Sequence, residues 1–218
     1  MKTFWIIGGG KFGQKAAKTI IANDFPSQIV ILEKELQICK ELKNRGFETV
    51  CTEGIRYLVR NLVNGDYPNW IVPAIPLHVA FEWIQRKLSN KYKIETIPIS
   101  DQLETQLPNP IRGSTGQLYV SNADFKCPDD CPEPEEMCTY TGEPRPRILK
   151  SFLENIQYND FRSVVVCSHQ LFPGVGGYTP KALFHVLREI ETEHRPVLLS
   201  TACLCHGVLH AFRISPRP

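Results

Sequence analysis

Four things are missing from this 218-residue chain, and each absence removes a class of function. Charge of one sign is not in excess, since 25 Lys and Arg against 23 Asp and Glu leave a formal net charge of +2. That balance creates no strong field for an acidic partner, and no basic block with interleaved aromatics offers a nucleic-acid surface. No apolar run approaches membrane-spanning length, so membrane insertion is not expected. The start, Met1-Lys2-Thr3, carries one lysine and a short apolar stretch, which is no secretory signal and gives the expectation of a cytoplasmic protein. No catalytic dyad of recognisable spacing appears, so the substrate cannot be read.

What is present begins at the amino terminus. Thr3 to Ile7 reads as a buried strand that stops at three glycines. Gly8, Gly10 and Gly13 satisfy G-x-G-x-x-G, and Lys11 to Ala22 reads as a helix with Phe12, Ala16 and Ile20 on one face. Gly8 permits the tight turn, Gly10 lets backbone approach a diphosphate, and Gly13 lets helix and strand pack closely. The free amides opening the helix, at Lys11 and Phe12, would hold the phosphates. A second strand, Gln28 to Leu32, ends at Glu33, where an acid would accept hydrogen bonds from an adenosine ribose. A carboxylate there repels a 2′-phosphate, so NAD is favoured over NADP, with adjacent Lys34 pulling the other way.

The next segments alternate. Leu36 to Asn44 reads as a helix stopped by Gly46, Phe47 to Cys51 as a strand, and Ile55 to Val63 as a helix. Trp70 to Ile75 is a strand, Leu77 to Leu88 an amphipathic helix, and Tyr92 to Ile99 a strand expected to close this half. The expectation is an α/β fold: a Rossmann-like parallel sheet with helices on both faces. Residues 1 to about 99 resemble Rossmann-type NAD(P)-binding domains, and most nearly the nucleotide-binding domains of Trk-type potassium-uptake regulators. Gly8, Gly10, Gly13 and Glu33 match that pattern, while Glu53-Gly54 fills its last acidic-glycine feature only loosely. The triple glycine followed by Lys11 is also similar to the dehydrogenase domain of sirohaem synthesis. The resemblance implies a dinucleotide cofactor and leaves the reaction open.

Seventeen prolines cluster in the middle of the chain and mark its organisation. The expected division is a dinucleotide-binding domain over 1–100, an irregular Pro/Cys-rich metal-binding loop over 101–147, and a small α/β segment over 148–218. Asp101 to Gly116 reads as an irregular connector, and the stretch from Lys126 to Pro146 has a proline density no helix or strand tolerates. Beyond it, Ile148 to Ile156 reads as a helix, Ser163 to Cys167 as a strand, and Phe172 to Tyr178 as a glycine-rich loop. Thr179 is an N-cap with Pro180 at the first helical position, and Pro196 to Ser200 is a last strand.

Eight cysteines in a leaderless chain of this kind read as thiols or metal ligands rather than disulfides. Cys127, Cys131 and Cys138 give C-x3-C-x6-C, a loop able to close three thiolates on a soft cation. Cys203 or Cys205 is the obvious fourth ligand, Cys205 being preferred, with His206 as the nitrogen alternative. Four thiolates suit an iron–sulfur cluster, and the Cys-Pro pairs are similar to ferredoxin-type loops; zinc fits equally well. Five carboxylates among residues 129–136 would repel an anionic cluster, whereas Lys126, Arg145 and Arg147 would offset them, and iron–sulfur ranks slightly above zinc. Cys39, Cys51 and Cys167 read as small core residues, and His206 and His210 would share a face if the end is helical. His169, after a strand and before a helix, is the candidate proton donor beside a nicotinamide ring, and His78 is a weaker one. The readings that result are an NAD-dependent oxidoreductase with a cysteine-held iron–sulfur or zinc centre, or a non-catalytic nucleotide and redox sensor. Candidate partners are a dinucleotide, a redox or regulatory protein, and a second copy of the chain as a homo-dimer.

Overall fold

The computed structural model describes residues 1–24, 26–63, 65 and 67–217. Its first part runs β1 (Lys2–Ile7), α1 (Lys11–Asn23), β2 (Ser27–Glu33), α2 (Leu36–Asn44), β3 (Thr49–Cys51), α3 (Gly54–Asn61) and β4 (Trp70–Pro73). The strands form a parallel sheet in the order β3-β2-β1-β4. Phe4, Ile6 and Ile7 of β1 and Ile29 to Leu32 of β2 are buried, as befits strands covered on both faces. The α1 and α2 helices cover one face, where Ala16, Ala17, Ile20 and Leu42 meet Phe4, Ile6 and Ile31. The other face packs Ile7, Val30 and Leu32 against Ile55 and Leu58 of α3 and against α4 (Val79–Leu88). Burying one side chain such as Ile20 contributes on the order of 2 kcal/mol.

The buried stripe of α1 is Gly13, Ala16, Ala17 and Ile20, and Phe12 is 56 % exposed. The stripe is turned by one residue from the expected Phe12–Ala16–Ile20 face. Gly13 causes this, because it lies so close to the Gly8 carbonyl that a Cβ would collide with that oxygen. Gly8 itself has φ +107°, a conformation L side chains rarely adopt.

The remaining elements are β5 (Tyr92–Ile97), α5 (Asp101–Glu104), β6 (Ile111–Arg112), β7 (Leu118–Ser121), α6 (Leu149–Glu154), β8 (Arg162–Cys167), β9 (His169–Phe172), β10 (Val175–Gly177), α7 (Pro180–Glu191), β11 (Val197–Ala202) and β12 (His206–Pro216). Three expectations change here. The strand from Tyr92 does not close the first sheet: β5 pairs antiparallel with the outer half of β12, from Ala211↔Ile97 to Pro216↔Tyr92. Its exposed Lys93 and Glu95 alternate with half-buried Tyr92 and Ile94, which suits an antiparallel strand and not a doubly covered parallel one. The expected connector holds the short α5 and β6, which pairs with β7 just beyond it. The chain's end is the long strand β12, not a helix, so His206 and His210 share no helical face.

The second sheet has the order β6-β7-β12-β11-β8, with β5 completing the outer side of β12. Leu103, Leu149, Leu153, Leu198 and Leu209 bury one of its faces under α5 and α6. The other face shares a core with the first sheet through Phe81, Trp83, Leu183 and Val186 of α4 and α7. Thr179 caps α7 by accepting from the Ala182 amide at 3.2 Å, with Pro180 behind it. Among the described residues, no helix is long and apolar enough to cross a membrane.

His78, at the start of α4, is fully inside this fold, with Nδ1 3.0 Å from His210 Nδ1 and Nε2 2.9 Å from the Thr201 hydroxyl. His210 stacks on Phe81 with ring centroids 3.9 Å apart. Burial, and then His210, push the His78 pKa well below its ordinary 6.5, and burial pushes His210 down to about 4. The unfolded chain therefore binds protons that the folded chain refuses, so stability is full above pH 6.5 and is lost as pH falls toward 4. Between pH 6.5 and 5 urea titrations should show the unfolding free energy dropping by up to roughly 1.4 kcal/mol per pH unit for each histidine. His210→Gln, which keeps a partner for His78, should halve that slope; an unchanged slope would show that the pair does not titrate this way.

Candidate functional site

Two sites assemble in this fold, and they touch. The first lies at the carboxyl ends of the parallel strands, where ligands of open α/β sheets bind. The turn after β1 is held by Gly8 N–H donating to Leu32 O (2.8 Å) and by Ala74 N–H donating to Ile7 O (2.8 Å). At Gly10 an added Cβ would meet nothing within 4 Å, so the cradle is open. Among the described residues, no protein acceptor takes the amides of Lys11 and Phe12 at the start of α1.

Glu33 ends β2 beside this turn and is buried. Its Oε2 accepts from Gly9 N–H at 2.7 Å, and its Oε1 accepts from the amides of Lys34 (2.7 Å) and Glu35 (2.9 Å). Three donors leave a carboxylate one free lone pair, which is the acceptor a ribose hydroxyl needs. A cavity of about 320 Å³ lies alongside, lined by Gly8, Glu33, Lys34, Glu53, Gly54 and the Ile75–Leu77 segment. Glu53 and Gly54 thus reach the same cavity. Glu53 caps α3 by accepting from Ile55 and Arg56 amides and pairs with Arg86; despite partial burial, these contacts lower its pKa.

The second site is the cysteine loop. A cavity of about 230 Å³ is lined by Cys127, Cys131 and Cys138 from the loop together with Cys203, Cys205 and His206 from the β11–β12 turn. His206 Nε2 is 3.5 Å from Cys127 Sγ, and its Nδ1 is 4.0 Å from Cys203 Sγ. Burial, followed by the charges of Cys131, Cys138 and Glu133, raises the Cys127 thiol pKa. Burial and Glu133 raise that of Cys203 strongly. Backbone amides at Thr141 and Tyr140 lower that of Cys138. Burial lowers the His206 pKa, Glu133 opposes it, and Arg145 adds to it.

Glu133 is the residue the sequence does not single out. It is buried among thiols at φ +50°, a conformation that costs a non-glycine residue energy. One carboxylate oxygen accepts from the Cys205 amide at 2.9 Å. Ligand atoms of Glu133, Cys203 and His206 lie within 4.8 Å of one another, close enough to share a metal ion. Cys205, preferred from sequence as the fourth ligand, has its sulfur against the Arg145 guanidinium instead. A third cavity, of about 610 Å³ between β7 and residues 123–126, shares His206 as a wall.

Three other expectations move. The stretch around Gly174 to Gly177 is an antiparallel hairpin of β9 and β10, so its amides are largely spent on pairing. His169 is exposed, and its ring lies edge-on to Trp70, 5.6 Å between centroids. Trp70 opens β4 opposite Phe4, at the far end from the cradle beside Ile7, so His169 is not positioned for proton transfer to a dinucleotide there. Cys39 is a buried core residue as expected, but it is joined as a disulfide to Cys51, with Cα atoms 5.8 Å apart, and Cys51 is exposed rather than in the core.

The comparisons with known proteins follow the same division. The TrkA-N domain model matches residues 4–62, which form a Rossmann-type NAD(P)-binding segment akin to that of Trk regulators. A protein of Archaeoglobus fulgidus, described as an uncharacterized protein, is 28 % identical over 219 residues, covering 95 % of this chain and 98 % of that one. No solved structure matches the chain. A second model, AF_1314_C, with the description "Uncharacterized protein, C-terminal domain", matches residues 80–215, well over half of the length, and the chain belongs to that family.

Proposed function

We propose that the chain is a dinucleotide-binding redox protein, preferring NAD to NADP, whose cysteine loop holds a metal centre. The observation that carries the reading is the convergence of five thiols, an imidazole and a buried carboxylate on one cavity beside an open glycine cradle. The residues present fit both groups. The Lys11 and Phe12 amides would hold the diphosphate, the open space at Gly10 would admit it, and the free lone pair of Glu33 would accept from a ribose hydroxyl. The same carboxylate disfavours a 2′-phosphate. When bound, the nicotinamide supplies a hydride acceptor or donor.

Glu133 favours zinc over a cluster. A buried carboxylate among thiols is unfavourable unless a cation neutralises it, and it would repel an anionic iron–sulfur cluster. Glu133, Cys203 and His206 form the mixed oxygen, sulfur and nitrogen set that zinc accepts, and three protein ligands leave its fourth position open. Zinc held there would supply Lewis-acid polarisation of a substrate oxygen, and His206 also lines the third cavity. An iron–sulfur cluster on Cys127, Cys131, Cys138 and Cys205 is the second reading. It is favoured by the number of thiols and by the Arg145 guanidinium facing Cys205.

Two experiments test this reading. Protein purified without oxygen should be colourless and carry about one zinc per chain, with Glu133→Gln and Cys203→Ser each losing most of it. Brown protein containing iron and acid-labile sulfide would give the site to a cluster, and a chain that takes up neither metal would remove the centre. Calorimetry should show NADH binding at least about ten-fold tighter than NADPH. Because the space at Gly10 is open, Gly10→Val should fold normally and lose NADH by about ten-fold or more. Unchanged affinity in that variant would take the diphosphate out of the cradle.

A further inference from the structure

We propose that Asp129 of the cysteine loop competes with the dinucleotide for the Lys11 end of the cradle, so that an ordered, metal-loaded loop weakens nucleotide binding. The inference rests on the dinucleotide and metal readings given above, and it adds a coupling between them. Lys11 is the first residue of α1, at the turn that faces the diphosphate. Its ammonium donates to Asp129 Oδ2 at 2.8 Å. One turn further on, Lys15 Nζ donates to the Asp129 carbonyl at 2.6 Å. Both lysines of the cradle helix's first two turns are therefore engaged by one residue of the loop.

Asp129 is held in that place from its other side. It lies two residues from Cys127 and two from Cys131. The Cys131 carbonyl accepts from Gly174 N–H (3.0 Å) and from Gln170 Nε2 (2.6 Å), both on the β9–β10 hairpin. Gly174, at φ +71°, packs so close to the Asp129 carbonyl that a Cβ there would collide with it. Fixing Glu133 on the metal, four residues beyond Asp129, together with the hairpin's grip on the Cys131 carbonyl, holds this arc and with it the carboxylate on Lys11. An anion set there neutralises Lys11 and repels an incoming diphosphate within a Debye length.

By linkage the effect is reciprocal: whatever the metal does to nucleotide affinity, nucleotide does to metal affinity. The pair is partly solvated, Lys11 being 73 % and Asp129 33 % exposed by side chain, so the effect is modest. The test is calorimetric titration of the metal-loaded full chain with NADH, beside Asp129→Asn and, as a second variant, Asp129→Ser. Both should bind NADH about two- to five-fold more tightly than the parent. NADH should also weaken zinc uptake by the stripped parent by the same factor and leave that of Asp129→Asn unaffected. Equal or weaker NADH binding by folded variants overturns the coupling and leaves the dinucleotide reading standing. If neither the parent nor the variants bind NADH, the dinucleotide reading falls and the coupling falls with it.

Discussion

The loop that carries the thiols cannot hold its own shape, and the site depends on how other elements hold it. Its prolines remove amide donors and forbid a regular ladder, so beyond a few internal bonds such as Cys138 N–H to Glu143 O (2.8 Å) and Arg145 N–H to Glu136 O (2.8 Å) its carbonyls and amides need partners from outside. The partners come from three directions. The β9–β10 hairpin holds the Cys131 carbonyl through Gly174 and Gln170. The α1 helix holds Asp129 through Lys11 and Lys15. At the β11–β12 turn, the Cys205 amide donates to Glu133, and Asn122 N–H donates to the Cys205 carbonyl at 2.9 Å. Each contact is weak beside a hydrophobic core. Together they fix where the sulfurs point, and a bound cation would add the cross-link that the backbone cannot supply.

How far this was legible follows from the range of each interaction. The cradle could be read because its chemistry is local: three glycines, an adjacent helix start and Glu33 at the next strand end. The Rossmann-type sheet could be read because β1 and β2 are continuous apolar runs with helical periodicity between them. The site of β5 could not be read from order alone, since its partner β12 lies over a hundred residues downstream. Its alternating Lys93 and Glu95 were the available signal, and they point to an antiparallel strand. The glycines after His169 suggest a loop from sequence, yet Gly176 and Gly177 are paired strand residues against β9. Glu133 was invisible among five similar carboxylates. Its burial and left-handed backbone are features of the folded loop, in which the Cys205 amide of the β11–β12 turn donates to it.

The buried histidine pair shows the same limit from the other side. His78 and His210 are 132 residues apart in sequence, and only the packing of α4 against β12 brings them together. Each alone resembles an ordinary capping or core histidine. Together, in the core that joins the two sheets, they make the association of the halves sensitive to acid, because protonating either ring places an unsolvated charge in the interior beside the other.

The hairpin explains why the two sites lie side by side. The first sheet stops at β4, one strand past the glycine-turn strand, which leaves an edge that would otherwise pair with another chain. Tyr178 covers that edge: its amide donates to Ile71 O at 3.0 Å, and its carbonyl accepts from Ile71 N–H at 2.9 Å. The hairpin preceding Tyr178 is thereby fixed against β4, with Val175 and Leu171 packed into the core under α1. Its tip at Gly174 then meets the cysteine loop next to the start of α1. Edge protection and loop placement are in this way one structural event, and the segment that closes the sheet also sets the loop against the cradle. A chain that lost the Ile71–Tyr178 pairing would lose both.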